Sequence, residues 1–143
     1  MQRLFSVVTA ILLCLTGTAV IAQDFGAEFS RVHMRVNSAK EIIRLQEDTF
    51  AEFRGTAEIK ENFVQYDHGS FGSPFSFDDA RLSYGQAELY YHKARALFAL
   101  DDSTEYTEIA RLIERANDLL DSAIYFAKRP MHYVGELRAA IAN

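Results

Sequence analysis

The chain has 143 residues, a formal net charge of −5, 24% charged and 13% aromatic residues, and one cysteine. That length suits one domain with a real core. The mildly acidic balance, with both signs mixed along the chain, is a poor match to nucleic acid, and no nucleic-acid partner is expected.

The first segment predicts export. Met1-Gln2-Arg3 gives a short positive start, Leu4 to Val20 is an uncharged and mostly apolar run, and Val20-Ile21-Ala22 offers a signal-peptidase site. These are the three parts of a secretory signal peptide. Cleavage is expected after Ala22, which leaves residues 23–143 as the mature domain, periplasmic or secreted. Cys14 lies inside the apolar run behind Leu13, a residue too large for lipoprotein processing. Once the segment is removed no cysteine remains, which excludes disulfides, thiol nucleophiles and thiolate metal sites. The mature chain holds no further run long enough for a transmembrane segment.

Residues 25 to 65 read as one long helix. Phe25, Phe29, Val32, Val36, Ala39, Ile43, Phe50, Phe53, Ala57 and Val64 recur in alternating steps of four and three, interrupted at Gln46 and near Lys60. This is a coiled-coil-like stripe seeking a partner helix. Ile42, Leu45, Ile59 and Phe63 widen it. Gly55 is its weak point, where an interior glycine costs about 1 kcal/mol relative to alanine.

A loop over 66–76 follows. It carries Gly69, Gly72 and Pro74, but also Phe71 and Phe75, with Phe77 just beyond. A large ring left in water forfeits roughly 1.5 to 3 kcal/mol of burial. Two outcomes satisfy that: the loop folds back and plugs the bundle, with Phe77 stapled onto Arg81 or Leu82, or the rings form an adhesive tip for another protein. Phe71, Phe75 and Phe77 are therefore the candidate partner-binding residues.

Ser76 and Asp79 have the spacing of a capping box, so the second helix is expected from about Phe77. Its seam is Ala80, Tyr84, Ala87, Tyr91, Ala94 and Phe98. Leu82, Leu89, Tyr90, Leu97 and Leu100 are expected to broaden it. Gly85 falls on the other side, where it loosens the helix. Asp101-Asp102-Ser103-Thr104 makes a tight turn, with Asp102 or Ser103 as cap. The third helix shows Tyr106, Ile109, Ile113, Ala116, Leu120, Ala123 and Ala127. Pro130 is expected to stop or kink it, with 77–129 as a helical hairpin and 131–142 as a short last helix burying Val134, Leu137 and Ile141. No strand pattern appears. The expected fold is an all-α up-down helical bundle of three long helices plus a short fourth.

The chemistry-bearing residues are sparse. Glu88 and His92 share a helix face four residues apart. The Glu-x-x-His spacing of di-iron bundles is missing, and so are His-Glu-x-x-His, the nucleophile elbow and a phosphate loop. Met34 near the start and His132 near the end of a bundle resemble the axial pair of exported four-helix b-type cytochromes. That resemblance implies haem between helices, and His33 and His92 add possible metal ligands. The residues themselves favour a non-catalytic exported protein without cofactor. It would act by protein–protein interaction as an envelope adaptor, assembly factor or chaperone-like component. The alternatives are a haem- or metal-carrying bundle and a structural subunit that self-associates through helix one.

Overall fold

The protein is described from a computed structural model. The structure describes the backbone of residues 2–54 and 76–141, and the side chains within 25–53, 76–102, 104–136 and 138–139. Three helices account for nearly all of it: α1 (Gln2–Arg54), α2 (Asp78–Phe98) and α3 (Tyr106–Ile141), with a 3-10 turn at Ser103–Glu105 before α3. No strand occurs among the described residues.

The helices run up, down and up. Phe25 of α1 meets Phe98 at the end of α2 and Tyr106 at the start of α3. At the opposite end Phe50 of α1 clusters with Phe77 and with Val134 of α3. The spacing of the apolar positions explains the assembly. Phe29, Val32, Val36, Ala39, Ile43 and Phe50 fall on one face of α1, and all are buried. On α2 the buried face is Ala80, Ser83, Ala87, Tyr91 and Ala94. On α3 it is Ile109, Ile113, Ala116, Leu120, Ala123 and Ala127, with Leu112 and Leu119 beside them. Alanine on both faces lets the backbones of α2 and α3 approach, and this pair makes the most extensive contact. The contact of α1 with α2 is the thinnest of the three.

Polar ties fix the register. Arg35 of α1 donates to Asn117 and Asp121 of α3. Arg129 of α3 donates to Asp79 of α2 at 3.0 Å. Arg81 of α2 donates to Glu47 of α1 at 2.7 Å. The Arg35–Asp121 and Arg81–Glu47 pairs are exposed and add little beyond orientation, while the Arg129–Asp79 pair is partly buried.

The turn between α2 and α3 is built on two aspartates. Asp101 takes φ 54°, the left-handed conformation that reverses the chain after α2. The Asp102 carboxylate accepts from the Thr104 backbone N–H at 2.9 Å and from its hydroxyl at 2.8 Å. Asp102 is therefore the cap.

Three expectations change. The helix over 131–142 is not a separate element, because α3 runs through Pro130 without a stop. The proline is fully buried, and beyond it Met131 and Val134 pack on the Phe50–Phe77 cluster. That burial offsets the hydrogen bond that a mid-helix proline removes. Second, the capping box does not close. The Ser76 hydroxyl accepts the Asp78 N–H at 3.0 Å, one residue earlier than expected, and Asp79 turns to Arg129. Third, Leu82, Leu89 and Leu100 do not broaden the core seam of α2, and Leu45 does not widen that of α1. All four stand more than half exposed. Gly55, the rest of helix one to residue 65, and the loop up to residue 75 lie outside the described residues, as do the side chains of Leu137 and Ile141.

Candidate interaction surface

Of the three candidate phenylalanines, Phe77 lies among the described side chains, and Phe71 and Phe75 lie outside them. Phe77 is buried. Its ring meets Phe50 edge-on, with centroids 5.8 Å apart. It is a core residue sealing the end of the bundle, which removes it from the partner-binding set.

The candidate metal ligands are spread out. Met34 is 61% exposed on α1. His33 is exposed beside it, with Asn37 Nδ2 3.2 Å from its Nε2. His132 is exposed on α3, where its Nε2 lies 3.4 Å from Glu136 Oε1. Arg35 sets the level of Met34 at Asn117 and Asp121 of α3. His132 lies three helical turns beyond, about 16 Å along the axis at 1.5 Å per residue. Met34 and His132 therefore cannot face one iron. Glu88 accepts the Tyr84 hydroxyl at 2.6 Å instead of pairing with His92. Burial first, and the Glu88 carboxylate second, push the Tyr84 phenol well above its ordinary range. His33 and His92 flank the Tyr91 ring, with centroids 6.1 and 5.3 Å away. Among the described residues, no three His, Cys, Asp or Glu side chains gather into a metal-binding group.

Two shallow grooves mark the surface. One, of about 340 Å³, runs between α1 and α2 over Phe29, Tyr91 and Phe98, with His33 and Arg95 at its rim. The other, of about 490 Å³, lies on α3 between Tyr125 and Tyr133, over Lys128, Arg129 and His132. Both are open to solvent and hold no paired acid and base aimed at a common point.

The larger apolar feature is on α2. Leu82, Leu89 and Leu100 are 62%, 53% and 70% exposed. At 100° per residue Leu82 and Leu89 fall within a narrow sector of the helix, directly opposite Ala80, Ala87 and Tyr91, and Leu100 follows just past the helix end. The sequence contained this signal. Leu82 and Leu89 are seven apart and out of phase with the buried alanines, so they belong to a second face and not to a wider first one.

No protein-family model matches the chain, and comparison with curated proteins and with solved structures finds no match. Among the described residues, no helix is long and apolar enough to cross a membrane.

Proposed function

We propose that this is an exported, non-catalytic helical protein of the cell envelope that acts by binding another protein, as an adaptor, assembly factor or chaperone-like component. Export rests on the positive start, the uncharged run from Leu4 to Val20 and the small residue Ala22. The observation that carries the binding role is the exposed leucine face of α2, since large apolar side chains lined up in water mark a surface that another molecule covers. Phe71 and Phe75 are a second proposed contact, on the cost of leaving two rings in water. The coiled-coil-like spacing of α1 supports a long helix-pairing surface, but over 29–50 the chain's own α2 and α3 already occupy that face. Self-association through helix one has no such face left there.

The test is capture of cross-linked partners by the mature chain in its native envelope, read by mass spectrometry. One reproducible protein, lost when Phe71 and Phe75 or Leu82 and Leu89 become serine, supports the reading. A chain that cross-links to nothing, or to the same proteins after either change, overturns it.

A further inference from the structure

The exposed face of α2 has a more specific content than three leucines. Asp78, Leu82, Gly85, Leu89, Lys93, Ala96 and Leu100 follow each other in steps of four, three, four, four, three and four. All seven are exposed. This is a seam with the spacing of a helix–helix contact, on the side of α2 turned away from the chain's own core. Gly85 lies in it, and a Cβ added there would meet nothing within 4 Å. Nothing inside the described chain therefore calls for a glycine at this position, and glycine costs about 1 kcal/mol in a helix.

We propose that the occupant of this face is α2 of a second copy of the chain, docked antiparallel about a two-fold axis that passes between Gly85 and Gln86. That one axis settles the seam from Asp78 to Lys93. It brings the two backbones closest at Gly85, where there is no side chain to hold them apart. It sets Leu82 against the second copy's Leu89, and Leu89 against the second copy's Leu82. It sets Asp78 against the second copy's Lys93 at both ends, as an isologous contact requires. These charges are free to pair. Asp78 makes no ion pair among the described residues, though its charge acts on Arg81. Lys93 reaches only over the Tyr90 ring, 5.8 Å from its centroid, and acts on Glu108 at long range. A parallel arrangement would set like charges together and is disfavoured. The helix dipole accounts for an acid in the first turn of α2, but not for its alignment with Leu82, Gly85 and Leu89.

The contact from Asp78 to Lys93 spans roughly 23 Å at 1.5 Å per residue. A surface that short gives a reversible dimer. The inference deepens the interaction reading for this one face and is separable from it, since a dimer can form without any other partner and a monomer can capture one.

The experiment is sedimentation equilibrium of residues 23–143 from about 1 µM to about 1 mM, a range chosen to bracket a weak dimer. The mass should rise from one chain to two. Gly85→Ala should raise the melting temperature at low concentration, because alanine is the better helix former, and yet weaken the dimer about tenfold by adding a methyl at the axis. Asp78→Lys and Lys93→Asp should each weaken the dimer about tenfold, and the double exchange should restore it. A chain that stays monomeric throughout overturns the proposal. So does a dimer that is indifferent to Gly85→Ala, or one that the double charge exchange does not rescue. If the chain is monomeric but still captures an envelope protein, this inference fails and the interaction reading stands.

Discussion

The ring of Phe77 meets the ring of Phe50 edge to face, with centroids 5.8 Å apart and planes at 65°. This contact joins the start of α2 to α1 and shares its cluster with Val134 of α3. It closes the end of the bundle opposite Phe25, Phe98 and Tyr106. Replacing either ring by alanine should cost about 3 kcal/mol in urea unfolding. The two losses should fall short of additive by about 0.5 to 1.5 kcal/mol, the range for a favourable ring pair. Strict additivity would mean that the rings are buried side by side without coupling.

Pro130 sits inside α3, fully buried. A proline in a helix interior costs about 3 kcal/mol through its missing N–H and its clash with the preceding turn. Each buried methylene of its ring returns about 0.8 kcal/mol. Pro130→Ala should therefore stabilise the protein by about 1 kcal/mol, with unchanged helicity. A lower melting temperature would show that the ring fills space no alanine can.

The turn at Asp101 and Asp102 should respond to acid. The Thr104 backbone N–H, and after it the Thr104 hydroxyl, hold the Asp102 carboxyl below its ordinary range. A carboxylate depressed in the folded state contributes stability that is fully present above its unfolded value of about 3.9. That contribution is lost as pH falls through the lower folded value. Carbon NMR should place the Asp102 midpoint below 3.9, and Asp102→Ala should lower the melting temperature more at pH 7 than at pH 2. An equal loss at both pH values would contradict the hydrogen-bonded cap. Asp101→Gly should gain about 1 kcal/mol, because glycine adopts the left-handed conformation at no steric cost.

The architecture was largely legible in the sequence, for a physical reason. The core faces of all three helices follow the 3.6-residue period, and Val32, Ala87 and Leu120 are buried where that period puts them. What failed was local. Pro130 reads as a stop or kink on propensity alone, but the packing of Met131 and Val134 on Phe50 and Phe77 decides the outcome, and those two rings come from distant parts of the chain. Phe77 reads as a first-turn staple because no sequence rule announces that Phe50 will lie opposite it. Leu82 and Leu89 read as part of the core seam only when their angle around the helix is ignored. At 100° per residue they oppose the core face, and Gly85 beside them then gains a meaning. The histidines gave no site because their spacing along the chain carried no geometry, and the fold keeps Met34 and His132 apart.

The proposed export makes a separate prediction. The intact mass of the protein isolated from its envelope should correspond to a chain beginning at Gln23. A chain retaining Met1 to Ala22 would contradict processing.

On the proposed reading, the leucine face of α2 is covered in the cell. Residues 23–143 contain no cysteine, so a single thiol reports cleanly. The measurement is the rate of maleimide labelling of Leu82→Cys in the native envelope and in dilute purified protein, with Lys40→Cys, an exposed position on α1, as the reference. Position 82 should label freely when purified and dilute, and be strongly protected in the envelope, while position 40 labels in both. Equal labelling of position 82 in the two settings would mean that the face stays in water, and would contradict the account.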